Sequence, residues 1–96
     1  MQPSVALRNR KDRVLEIAST HRMGRLRVFG SVLHGTDRED SDLDLLVDAP
    51  VGTTLFDLAG FEQALREALG VPVQVLTEDD LPPRIRSRVL AEARPV

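Results

Sequence analysis

Apolar residues recur along this chain first with the period of a helix. From residue 5 to about residue 22, Leu7, Val14, Ile17, Ala18 and His21 fall at spacings of three, four and seven, and Arg8, Arg10, Lys11 and Arg13 occupy the opposite face. Ser4, after Pro3, is the expected N-cap, and Gly24 the expected stop. His21 tops the apolar face or favours the C-terminal end of the helix dipole. Residues 25–29 read as a first strand, and a short helix over Val32 to His34 ends at Gly35. A second strand, residues 42–48, is closed by Pro50 and Gly52. The helical period returns from Thr54 to Leu69 with Leu55, Leu58, Ala59, Phe61, Leu65, Ala68 and Leu69. Thr54 and Asp57 form a capping-box pattern, and Gly70 supplies the stop. Val71 to Leu76 make a third strand, Thr77 starts a turn, and Pro82-Pro83 open a last helix running to Ala93. On that helix Ile85, Val89 and Leu90 are expected inward, with Arg84, Arg86 and Arg88 outward.

This order is of the α/β (α+β) class: a small three-stranded sheet flanked by helices. Ninety-six residues support one core, so the expectation is a single domain over residues 1–96. Periodicity does not set the order or direction of the strands.

The candidate chemistry lies in residues 28–48. Val28 and Phe29 end a short apolar strand, and Gly30-Ser31 interrupt it where a strand hands over to a helix. A glycine lets a ligand approach the backbone, the serine adds a hydroxyl, and N–H groups at a helix start favour an anion. Asp42 and Asp44 alternate with Leu43 and Leu45, so the two carboxylates share one strand face, about 7 Å apart along its axis. Bare carboxylates at the mouth of an apolar strand are costly without a cation or donors, which points to a magnesium-bound polyphosphate. By parity Asp48 shares that face and is a possible additional carboxylate. Arg38 is the basic residue nearest the acidic cluster, either as its charge partner or as a phosphate contact.

Gly30-Ser31, ten residues, then Asp42-x-Asp44 resembles the signature of the nucleotidyltransferase superfamily typified by DNA polymerase beta, in particular its minimal members, the MNT domains. The resemblance covers nearly the whole chain and implies a mixed sheet whose first two strands carry the site. It implies Mg²⁺ on Asp42 and Asp44, ATP as substrate, and Gly30 and Ser31 on the β- and γ-phosphates. It also implies an antitoxin that transfers AMP to a tyrosine of a HEPN-domain ribonuclease toxin. Two positions depart from the family pattern. Where an arginine or tyrosine is common, this chain has His34, a possible triphosphate contact or a solvated histidine. Where a third carboxylate is usual, it has Gln74, which can donate a hydrogen bond or bind a metal weakly but cannot act as a carboxylate base. The alternative is therefore an MNT-fold antitoxin impaired at Gln74 that neutralises its toxin by binding alone.

Composition narrows the choice. A hydrophobic content of 42% with 29% charged residues suits a soluble globular protein. Three Phe with no Trp or Tyr leave no aromatic platform for bases, so a nucleic-acid template is not expected. With no cysteine and no run approaching the ~18 apolar residues of a membrane span, the reading is cytoplasmic, without a membrane partner. Charge is segregated. Residues 1–27 hold seven Lys/Arg against two acids, residues 28–80 two against twelve, and the last sixteen four against one. The basic ends can steer a nucleotide or an acidic partner, in a hetero-complex or a homo-oligomer, or can simply be solvated helix faces.

Overall fold

The strand Leu43–Asp48, β2, shows in its burial why the molecule is built around it. Leu43, Leu45 and Val47 are buried on one face, whereas Asp44 and Leu46 point to the other. The computed structural model describes residues 1–96 in full.

In chain order the elements are α1 (Pro3–Asn9), α2 (Lys11–Thr20), β1 (Gly24–Phe29), α3 (Gly30–His34) and β2, then α4 (Leu55–Leu69) and β3 (Val73–Leu76). A 3₁₀ turn over Glu78–Asp80, α5 (Pro83–Glu92) and β4 (Arg94–Pro95) complete it. The sheet order is β3-β2-β1-β4, with β1 antiparallel to both β2 and β4 and β2 parallel to β3. The expected three strands are present, and the sheet gains a fourth at its edge. A two-residue strand has no period to read, and Pro95 suits an edge because it has no N–H to pair.

The main core lies between one face of the sheet and helices α1, α2 and α4, with Val14, Phe61, Leu65, Leu43 and Leu45 fully buried. A smaller cluster on the opposite face joins Leu46, Leu81 and Val89, with Phe29, Leu76 and Ile85 packed against it. Helix α5 thus covers Leu46 and leaves Asp44 at the margin of the covered area.

Several local expectations hold, and several are corrected. The capping box is formed: Asp57 N–H donates to Thr54 Oγ1 at 3.1 Å and Thr54 N–H to Asp57 Oδ2 at 2.9 Å. Leu55, counted on the apolar face, is exposed beside Phe56. The single N-terminal helix is two, broken at Arg10, whose φ and ψ of −123° and 23° are not helical. The apolar spacing continues across the break, so periodicity carries no trace of it. Ser4 is not the N-cap. Gln2 takes that position, and Ser4 N–H donates instead to the buried carboxylate of Asp37 at 2.8 Å. That hydrogen bond holds the Asp37 carboxyl below the usual carboxylate range. Helix α2 ends at Thr20 and is stopped by Arg22 rather than Gly24: Arg22 adopts φ 60°, with Met23 N–H donating to Ala18 C=O and Arg22 N–H to Ser19 C=O. These are the two bonds of a Schellman stop, with arginine where glycine is usual.

The outer edge of β3 is covered by side chains. Arg66 donates to Val73 C=O through Nε (3.1 Å) and Nη2 (2.9 Å), and Val75 N–H donates to Glu62 Oε2 at 2.9 Å. The Glu62–Arg66 pair on α4, itself 2.9 Å apart, satisfies the groups that a neighbouring strand would otherwise take. Arg86, expected outward, is half-buried and donates to the carbonyls of Asp79 and Leu81, fastening α5 to the preceding turn.

Candidate active site

Strand pairing brings Phe29, Asp44 and Gln74 into one row. Phe29 lies opposite Asp44 in the antiparallel pair, and Asp44 beside Gln74 in the parallel pair. Directly paired residues present their side chains on the same face, about 5 Å apart at Cβ. Asp42 immediately precedes the strand and is exposed, and Asp44 is half-buried. Burial, and then the charge of Asp42, push the Asp44 carboxyl up to about 6. Neither aspartate has a basic partner within salt-bridge distance.

Gly30 begins α3 directly after Phe29 and takes φ +74°. A Cβ there would overlap Asp44 Oδ2 and lie 3.2 Å from its Cγ. The backbone at Gly30 is therefore in direct contact with the Asp44 carboxylate, and Ser31 follows it into the same corner. α3 then closes at Gly35, which is left-handed at φ 72°.

A cleft of about 550 Å³ opens beside this corner, between α3 and α5. One wall presents Gly30, Ser31 and His34, and the other Arg88 and Glu92, with Val89 between. His34 Nε2 and Glu92 Oε2 meet at 3.0 Å, so the imidazole is neither free nor merely solvated.

Asp48, grouped with Asp42 and Asp44 by parity, is not brought to them. It stands at the far end of β2, opposite Gly24, with the buried Leu46 between, and its carboxylate pairs with Arg27 at 3.5 Å. Arg38 is exposed, forms no ion pair, and donates its backbone N–H to Ser41 Oγ.

Two hard carboxylate donors of like charge, with no basic side chain to neutralise them, fit a hard divalent cation. No group of three or more His, Cys, Asp or Glu side chains gathers anywhere to hold a metal alone. The donor set suits an ion that completes its coordination with ligand oxygens and water.

A profile described as the nucleotidyltransferase domain matches residues 10–96. The chain belongs to the nucleotidyltransferase domain family. As a nucleotidyltransferase it is 36% identical, over 83 residues, to a Methanocaldococcus jannaschii protein named as a protein adenylyltransferase, covering 86% of this chain and 89% of that one. It is 37% identical over 65 residues to the protein adenylyltransferase MntA of Thermococcus cleftensis, covering 68% and 66%. Among solved structures, a minimal nucleotidyltransferase at 48% identity superposes with a TM-score of 0.84 over 97% of this chain and 95% of that one. A toxin–antitoxin structure containing AMP-PNP shares the fold at 19% identity, with a TM-score of 0.75 over 88% and 69%. The family and fold that the motif spacing suggested are thereby established.

Three arginines of this nucleotidyltransferase take places that the sequence pattern does not reveal. Arg27, for which the sequence pattern carries no expectation, is buried, and Arg86, expected outward, is half-buried. Arg88 is exposed, as expected, but onto the cleft that also holds Gly30 and Ser31. The one sequence signal was the positive balance of the last sixteen residues, which does not say where any single charge points. No helix is long and apolar enough to cross a membrane.

Proposed function

We propose that the chain acts as one nucleotidyltransferase domain, transferring AMP from Mg-ATP to a hydroxyl of a HEPN ribonuclease toxin and so silencing it in the cytoplasm. The observation that carries this reading is the contact of Gly30 with Asp44. It sets an open backbone corner, with the Ser31 hydroxyl next in sequence, against a carboxylate pair that lacks a counter-ion. The protein adenylyltransferase names of two relatives and the toxin–antitoxin context of a structural neighbour support the substrate and partner.

In the transfer, the acceptor oxygen forms a bond to the α-phosphorus, the bond from that phosphorus to the bridging oxygen breaks, and pyrophosphate leaves. Asp42 and Asp44 would hold Mg²⁺, which when bound offsets the charge of the triphosphate and of the departing pyrophosphate. Gly30 and Ser31 bind the β- and γ-phosphates through backbone N–H and hydroxyl donors, fixing the chain of phosphates so that the α-phosphorus meets its attacker. Gln74, beside Asp44, offers an amide that can orient a group but cannot take its proton, so the hydroxyl proton must pass to an acceptor other than this residue.

The same Gln74 favours a second reading, an antitoxin that binds ATP and its toxin but neutralises by occlusion. Intact mass of the HEPN partner after incubation with this protein, ATP and Mg²⁺ separates the two. Gains of whole AMP units that vanish in an Asp42→Asn/Asp44→Asn variant are the expected result. A silenced toxin of unchanged mass would overturn transfer and leave occlusion.

A further inference from the structure

The triphosphate proposed for the corner at Gly30 carries several negative charges, and this chain supplies few cations to meet them. Gly30 and Ser31 offer only neutral donors, and α3 contains no lysine or arginine. Its histidine, His34, is engaged with Glu92 at 3.0 Å. Across the cleft stands Arg88, the one arginine on its walls, and it forms no hydrogen bond or ion pair with the protein.

Its freedom has a structural cause. Glu92 lies four residues after Arg88 on α5, a spacing at which a carboxylate and a guanidinium are neighbours on a helix. His34 draws the Glu92 carboxylate away, and the Arg88 guanidinium is left facing open space. Its position is also fixed. Val89 is buried against Leu46 and Leu81, and Arg86 ties α5 to the carbonyl of Leu81 at 3.0 Å. A planar fork of donors, unpaired and held on a fixed helix across a cleft from a glycine–serine corner, is suited to bidentate recognition of phosphate oxygens.

We infer that Arg88 is a positioning residue for the nucleotide, binding its terminal phosphates from α5 opposite Gly30 and Ser31, with the His34–Glu92 pair keeping it free. The inference rests on the Mg-ATP reading of the site. On it, α5 serves both as cover for Leu46 and as the second wall of the triphosphate site, and the cleft selects nucleoside triphosphate over monophosphate.

The test is equilibrium binding of Mg-ATP and of AMP to the full chain, in the native protein and in Arg88→Ala and Arg88→Lys. Arg88→Ala is expected to weaken ATP binding by about 10–100-fold, the range for losing a charge-assisted bond to phosphate. AMP binding should stay within about twofold, as for an ordinary surface substitution. Lysine should restore part of the loss, because it keeps the charge without the fork. Equal losses for ATP and AMP, or no loss for ATP, would overturn the role of Arg88 and leave the Mg-ATP reading standing. If the native protein binds no ATP, that reading falls and the role of Arg88 falls with it. Matching thermal melts of the three proteins show that the fold is unchanged.

Discussion

Gly30 and Asp44 occupy one another's space: the position a Cβ would take on Gly30 is already filled by the Asp44 carboxylate. The contact joins the end of β1 to the middle of the site on β2, and it makes glycine necessary twice, for its φ of +74° and for its missing side chain.

Gly30→Ala is therefore expected to cost about 2–4 kcal/mol: ~1–2 for a left-handed alanine and more for displacing the carboxylate. It should also sharply reduce AMP transfer. Gly35 is the control. Its φ is similar at +72° but nothing lies within 4 Å of its Cβ position, so Gly35→Ala should cost only the ~1–2 kcal/mol conformational part. Urea unfolding of the two variants checks the difference; equal costs would mean that the Asp44 contact is soft.

The raised Asp44 carboxyl gives the metal-free protein a defined pH response. Between the ordinary value of 3.8 and about 6, the folded chain binds the proton more tightly than the unfolded chain. Stability contributed by this group is thus present at the acid end and is lost as pH rises through about 6. Asp44→Asn should remove that decline in thermal melts with chelator present. Magnesium needs the ionised carboxylate, so the rise in Tm that it produces in the native protein should fade as pH falls below about 6.

Gln74 sits beside Asp44 in register, so Gln74→Asp places a third carboxylate in the row. On the transfer reading the variant should be faster, by ~10²-fold if the new group serves as general base. Without magnesium it should be less stable than the native protein, because like charges on paired strands repel. Initial rates of AMP incorporation and melts with chelator test both halves. An unchanged rate would show that the amide is no handicap.

The Glu62–Arg66 pair closes the outer edge of β3, and Glu62→Ala/Arg66→Ala would free Val75 N–H and Val73 C=O. The double variant is expected to lose about 1–3 kcal/mol, since both side chains are partly exposed and water replaces part of each bond. It should also associate as concentration rises, through an unpaired strand edge. Sedimentation across a concentration series distinguishes this from simple destabilisation, which would leave the folded fraction monomeric.

What the chain's own order determined is everything that depends on near neighbours. The periods of α2 and α4, the Thr54–Asp57 box, the Gly70 stop and the alternation of Asp42 and Asp44 with leucines are all read within a few residues, because helix and strand geometry fix which side chains share a face. The family signature is legible for the same reason: Gly30-Ser31 and Asp42-x-Asp44 lie within fifteen residues of one another. Only the tertiary structure decided the rest. Parity puts Asp48 with Asp44, but they stand four positions apart on the strand with the buried Leu46 between, and Arg27 from β1 takes the carboxylate. Ser4 has the residue type and position of a cap, yet Gln2 takes that place and the Ser4 N–H donates to Asp37, thirty-three residues away. Arg84, Arg86 and Arg88 are alike as a charge pattern. Packing of α5 on Leu46 turns Arg86 to the Leu81 carbonyl and Arg88 into the cleft. Contacts of this kind depend on where distant segments are laid beside one another, and a one-dimensional period carries no record of that.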